Sequence, residues 1–123
     1  MDVLLVEDNA LIGDAVREHI AADGGRVDWS VDIRQATGAI AARSYDCIVL
    51  DLRLPDGNGL CFLKRIREMG ETAPVIILTA FDQVTDRLEG MRCGATDYLV
   101  KPFSLIELSR RIALVAGDYP PCA

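Results

Sequence analysis

No stretch of this sequence stays apolar for the roughly 20 residues that a membrane-spanning helix needs. The N-terminus, Met1-Asp2-Val3, has no basic segment and no cleavable apolar stretch after it, so nothing addresses the chain for export and a cytoplasmic location is expected. Basic residues are in the minority: 13 Lys and Arg stand against 19 Asp and Glu, a net charge of −6. Nucleic-acid phosphates are held by clustered Lys and Arg, so a domain this acidic should repel them, and any DNA contact must fall to another part of a longer protein. Only one histidine is present, His19, and the four cysteines (Cys47, Cys61, Cys93 and Cys122) show no C-x-x-C spacing, which argues against zinc. Cys47 lies in an apolar run and reads as core filling; without an export signal the thiols are expected reduced.

What is present suits one folded domain with one core: 123 residues, 50% hydrophobic and 26% charged. Five apolar runs alternate with five amphipathic stretches. Val3–Val6 ends at Glu7-Asp8, Cys47–Leu50 at Asp51, and Val75–Leu78 at Thr79. Such continuous, largely branched runs fit strands buried on both faces, as in a parallel sheet. Val27–Val31 is more mixed and suits a strand nearer an edge; Tyr98-Leu99-Val100 is short and ends at Lys101. Between the runs, apolar residues recur at helical spacing: Ile12, Val16, His19 and Ile20; Ile33, Ala36, Ile40 and Ala41; Leu60, Leu63 and Ile66; Val84, Leu88 and Met91; Leu105, Leu108, Ile112 and Val115. Gly24-Gly25, Met69-Gly70 and Cys93-Gly94 fall at expected helix ends, and Ser104 with Glu107 reads as a capping box. The repeat predicts a parallel sheet with helices on both faces and right-handed crossovers. No internal linker breaks it, and residues 117–123, with two prolines, read as a frayed terminus or the start of a linker.

Four of the strand ends carry a reactive polar group: Glu7-Asp8, Asp51, Thr79 and Lys101. In an open parallel sheet the carboxyl ends of the strands line one crevice, so these residues should converge. A lone strand-end Asp would suit a helix cap; four agreeing strand ends point to chemistry. Carboxylates placed together repel unless a cation joins them, and Mg²⁺ prefers such oxygen ligands. Lys101 and Thr79 suit the oxygens of a phosphoryl group, and one carboxylate would be the nucleophile of a phosphoryl transfer.

The strings Leu4-Leu5-Val6-Glu7-Asp8-Asn9, Val49-Leu50-Asp51-Leu52-Arg53-Leu54-Pro55-Asp56-Gly57-Asn58-Gly59, Ile77-Leu78-Thr79-Ala80 and Gly94-Ala95-Thr96-Asp97-Tyr98-Leu99-Val100-Lys101-Pro102-Phe103 closely resemble bacterial two-component response-regulator receiver domains. The resemblance runs from residue 2 to about 116. It implies an α/β, flavodoxin-like (βα)5 fold, a doubly wound parallel sheet in the order 2-1-3-4-5, with residues 1–116 as the receiver and 117–123 as a tail or the start of a linker to an output domain outside this chain. It implies a phosphoryl group transferred to Asp51 by a partner sensor histidine kinase. Mg²⁺ would be held by Asp8, Asp51 and the Arg53 carbonyl, with Glu7 acting through a bound water. Thr79, Lys101 and the Ala80 N–H would contact the phosphoryl group, and Tyr98 would be the switch aromatic that turns inward behind Thr79. The Lys101–Pro102 bond would be cis, which physics permits readily only before proline.

The segment from Asp86 to Ile112 is similar to the OmpR/PhoB type, whose output is a winged-helix DNA-binding domain and whose active form dimerises through the fourth helix, fifth strand and fifth helix. That likeness implies cross-dimer ion pairs, Arg87 with Glu107 and Asp97 with Arg111, around an apolar patch at Leu88 and Met91. Thr96 stands where that type often has Asp, and Ser109 where it is often apolar; both would weaken the dimer. Phe81, two residues after Thr79, would shield an acyl phosphate from water. Among rivals, a phosphatase of the haloacid dehalogenase type needs an Asp where Arg53 stands. An FMN binder would be repelled by Glu7-Asp8. A pure interaction module, or a stand-alone receiver acting by protein–protein contact, remains the structural alternative.

Overall fold

The computed structural model describes residues 1–80 and 84–117, with the side chains of 84–86 left aside. In chain order the elements are β1 (Asp2–Val6), α1 (Ala10–Ala22), β2 (Arg26–Ser30), α2 (Ile33–Ala42), β3 (Cys47–Asp51), β4 (Arg53–Leu54), β5 (Gly57–Asn58), α3 (Gly59–Glu68), β6 (Val75–Thr79), α4 (Val84–Arg92), β7 (Asp97–Val100) and α5 (Leu105–Val115). Five strands form one sheet in the order β2-β1-β3-β6-β7, every neighbouring pair parallel. This is the flavodoxin-like order expected for five strands. The two-residue strands β4 and β5 pair only with each other, as an antiparallel ribbon just after β3. They have no counterpart in the sequence reading, because a two-residue strand leaves no periodicity to see.

The central strands are apolar throughout because both faces are covered. Leu4 and Val6 join Ile48, Leu50 and Ile77 in a core shared with Phe62 and Leu63 of α3. Val3 and Leu5 face the other way, with Cys47, Val49 and Ile76, against Val16 of α1 and Leu108 and Ile112 of α5. The mixed run after Gly25 is indeed an edge strand, and it spans Arg26–Ser30, leaving Val31 exposed. Phe62, adjacent to the Leu60-Leu63-Ile66 set, is almost wholly buried and was not picked out by spacing.

One apolar expectation is corrected. Ala41 is exposed, since it lies about 100° round the helix from Ile40; Ala39 packs against the core instead. Leu88 and Met91, expected at an apolar surface patch, are 59% and 47% exposed. Gly90 takes the inward position on α4, where an added Cβ would sit 2.7 Å from Ile77 Cδ1. Glycine lets the helix approach the sheet closely and turns its larger apolar neighbours outward.

Helix ends follow the sequence signals. Gly24, Gly70 and Gly94 adopt positive φ after α1, α3 and α4. Ser104 caps α5 by accepting from the Glu107 N–H at 3.2 Å, while the Glu107 carboxylate turns to Arg111. No described helix is long and apolar enough to cross a membrane.

Candidate functional site

The carboxyl ends of β1, β3, β6 and β7 bring the polar residues together. Glu7 follows β1 and is completely buried; its N–H donates to the Ser30 carbonyl at 3.0 Å, extending the ladder one residue past the strand. Asp8 comes next and is exposed. Asn9 then caps α1, its side chain accepting from the N–H groups of Leu11 and Ile12 at 3.0 and 3.1 Å. Asp51, the last residue of β3, is 6% exposed, and its Oδ1 accepts from the Arg53 N–H at 3.3 Å. Oxygens of Glu7, Asp8 and Asp51 all lie within 4.8 Å of one another.

Lys101 reaches into this cluster from the end of β7. Its Nζ lies 2.7 Å from Glu7 Oε1 and 3.1 Å from Asp51 Oδ2. The Lys101 N–H donates to the Thr79 carbonyl at 2.7 Å, which fixes where the side chain starts, and the Lys101–Pro102 bond is cis. Thr79 ends β6, 2% exposed, and Ala80 follows it at the surface.

Electrostatics follow from this crowding. Burial first, then the Asp51 carboxylate beside it, push the Glu7 carboxyl up to about 7, with Lys101 pulling the other way. Burial alone would lower Lys101, yet its bonds and charges with Glu7 and Asp51 raise it on balance. One ammonium therefore faces three carboxylates. The donors are all hard oxygens with no thiol or imidazole among them, a set that fits a divalent cation such as Mg²⁺ and not a soft metal.

Several residues that shape the site carry no periodic signal. Gly59 opens α3 directly behind Asp51: an added Cβ would lie 2.4 Å from the Asp51 carbonyl oxygen and 2.9 Å from Leu52 Cα. Asp56, in the turn between β4 and β5, accepts from the N–H groups of Ile33 and Arg34 at 2.8 and 3.0 Å, tying the ribbon to the start of α2. The Pro55-Asp56-Gly57-Asn58-Gly59 string has the composition of a turn, but nothing in its spacing points to a partner on α2.

The residues expected at a dimer face take a different arrangement within one chain. Arg111 pairs internally, its Nη1 2.8 Å from Asp97 Oδ1 and its Nε 2.9 Å from Glu107 Oε1. Arg87 is exposed and lies over the Tyr98 ring, 5.2 Å from its centroid. That ring is already inward, 7% exposed. Thr96 Oγ1 accepts from the Val75 N–H at 3.2 Å, and Ser109 is half-buried. Phe81, Cys122 and residues 118–123 lie outside the described residues.

The family model of the response regulator receiver domain matches residues 3–113. The chain belongs to the response-regulator receiver family. This receiver domain is 46% identical over 112 residues to the transcriptional regulatory protein QseB of Escherichia coli O157:H7, a match that covers 91% of the chain and 51% of QseB. Its relatives QseB, PmrA and BasR are response regulators of the OmpR/PhoB type. The chain spans about half the length of the curated relatives it matches. Among solved structures, the Francisella response regulator 1452 receiver domain superimposes with a TM-score of 0.91 at 32% identity, covering 95% of this chain and 97% of that one. The receiver domain of the sensor histidine kinase PA1611 from Pseudomonas aeruginosa, which has a magnesium ion coordinated in its active-site cleft, gives 0.86 at 34%, covering 94% and 97%.

Proposed function

We propose that this receiver domain accepts a phosphoryl group from a partner histidine kinase on Asp51, in a reaction that depends on Mg²⁺. The observation that supports it is the buried Asp51 carboxylate with Glu7 and Asp8 within 4.8 Å and Lys101 Nζ at 3.1 Å. Asp8, Asp51 and the Arg53 carbonyl would hold the ion, with Glu7 behind a bound water. Mg²⁺, when bound, would neutralise charge on the transferring group.

The chain's own residues supply the rest. An Asp51 carboxylate oxygen attacks phosphorus, the phosphorus–nitrogen bond to the kinase imidazole breaks, and its electron pair leaves with the nitrogen. Lys101 and Thr79 each hold a phosphoryl oxygen, and the Ala80 N–H holds another. Catalysis here is positioning and charge neutralisation, with no separate substrate turned over. Drawn toward the phosphoryl group, Thr79 would leave Tyr98 held inward, and the face made by α4, β7 and α5 would settle into a dimer-forming arrangement. Residues 1–116 would act as the receiver, with 117–123 a tail or the start of a linker, and any DNA contact would fall to a part of a longer protein outside this chain. The reading places the protein in the cytoplasm.

Acetyl phosphate with Mg²⁺ should add one phosphoryl group by mass spectrometry, and Asp51→Asn should abolish it. Unchanged labelling of that variant would refute the assignment of Asp51.

A further inference from the structure

Trp29 is the chain's single tryptophan. It lies on β2 beside the end of β1, half-buried, and its Nε1 donates to the Glu7 carbonyl at 2.8 Å. The next carbonyl along β2, that of Ser30, accepts from the Glu7 N–H at 3.0 Å. Both backbone polar groups of Glu7 are therefore taken by adjacent residues of β2. The consequence falls on Asp8. A peptide unit is planar, so fixing the Glu7 carbonyl fixes the whole unit as far as Asp8 Cα. Asp8 is exposed, with no packing to hold its side chain, and it is this backbone that presents its carboxylate to the acidic cluster.

The same edge of the indole also rests on α1. An added Cβ at Gly13 would lie 2.0, 2.3 and 2.8 Å from three atoms of the ring. Gly13 belongs to the first turn of the helix, its N–H donating to the Asn9 carbonyl at 2.9 Å. The ring is wedged between the end of β1 and the start of α1, so it closes on residues 7–9 from both sides. Tryptophan suits this place because it combines a large apolar body with one donor.

We propose that Trp29 is a positioning residue for the cation site. Through the Glu7 carbonyl and the first turn of α1 it holds the Glu7–Asp8 peptide so that the Asp8 carboxylate faces Asp51, and residue 13 is glycine to admit it. The inference rests on the reading of Glu7, Asp8 and Asp51 as a divalent-cation site.

The test is an NMR titration of the ¹⁵N-labelled chain with MgCl₂ alone, since a single tryptophan gives a single indole N–H resonance. In the wild type that resonance should shift with the same midpoint as the Asp8 amide. Trp29→Phe keeps an aromatic ring and loses the donor; its Mg²⁺ affinity should fall roughly tenfold, as for loss of a group that orients a ligand. Gly13→Ala keeps the donor and displaces it; the indole resonance should move before any Mg²⁺ is added, and affinity should fall as well. A role in stability alone would lower the melting temperature of Trp29→Phe and leave its midpoint unchanged, which would overturn the proposal. So would an indole resonance that stays still in the wild type while the Asp8 amide titrates, a result available even if both variants fail to fold. If no wild-type amide near Asp8, Asp51 or Arg53 responds to Mg²⁺, the cation-site reading itself falls, and the inference with it.

Discussion

Lys101 Nζ sits 2.7 Å from Glu7 Oε1, an ammonium held at the only fully buried carboxylate among the described residues. The pair joins positions 94 residues apart, from opposite ends of the chain. Without another cation, Lys101 is the main charge opposing mutual repulsion in the acidic cluster. Lys101→Met should therefore destabilise the metal-free domain by about 1–3 kcal/mol, less than a stranded charge would cost because Glu7 can take up a proton. Mg²⁺ should restore part of the loss. Urea unfolding with and without MgCl₂ measures both, and a variant as stable as wild type in metal-free buffer would contradict the role given to Lys101.

Stability of the metal-free domain should fall as pH rises toward neutrality. The Glu7 carboxyl is displaced from 4.5 to about 7, so between those values the folded chain holds a proton that the unfolded chain has released. That contribution is complete below the unfolded value and is lost as pH climbs through about 7. Melting temperatures at pH about 6 and about 7.5 should differ in wild type and converge in Glu7→Gln. An equal slope in both proteins would show that another group is responsible. Saturating Mg²⁺ should shrink the wild-type difference, since the ion takes over the proton's part.

Asp8→Asn should separate the two demands on the cluster. Removing one repelling charge should slightly raise the melting temperature without Mg²⁺, while the gain on adding Mg²⁺ should shrink. A lower metal-free melting temperature would contradict the repulsion argument.

Gly59→Ala should be costly although the position is a helix start that normally tolerates alanine. The new methyl would press on backbone at both Asp51 and Leu52, which cannot rotate away. A loss of about 1–3 kcal/mol is expected. Denaturant unfolding reads the loss, and acetyl-phosphate labelling reads the effect on Asp51; wild-type values in both would show that α3 shifts freely.

Phosphorylation or beryllofluoride should promote dimerisation, and Arg111→Glu should oppose it. In the single chain Arg111 already holds Asp97 at 2.8 Å. Pairing across a dimer thus exchanges one partner for another, and each such partly exposed pair adds only about 0–1 kcal/mol. Leu88 and Met91, both exposed, must supply much of the remainder. Adding Asp97→Arg to Arg111→Glu should partly restore association, because charges are exchanged and not removed. Sedimentation decides; a single variant that associates like wild type would place the interface elsewhere.

The fold was legible because its signals are local. Runs such as Val75–Leu78 are apolar at every position only where both faces of a strand are buried, and Gly24, Gly70 and Gly94 mark helix ends because positive φ suits glycine. Strand ends at Glu7, Asp51, Thr79 and Lys101 could be read off those runs, and parallel topology alone brings such ends together. The outward side of α4 was legible for Leu88 and Met91 only through the family likeness, because helical spacing says which residues share a face and not which face meets the sheet.

What the sequence determined by itself was therefore the alternation of five main strands with five helices, the parallel sheet and the set of polar residues at its carboxyl edge, since each depends on chain-local pattern. Tertiary structure alone decided that Trp29 would hold the Glu7 carbonyl, that Asp56 would tie the ribbon to α2, and that Gly59 and Gly90 would admit backbone and side chain at close range. Each of those is a contact between separate elements, and its energy depends on ångström distances that no residue spacing encodes.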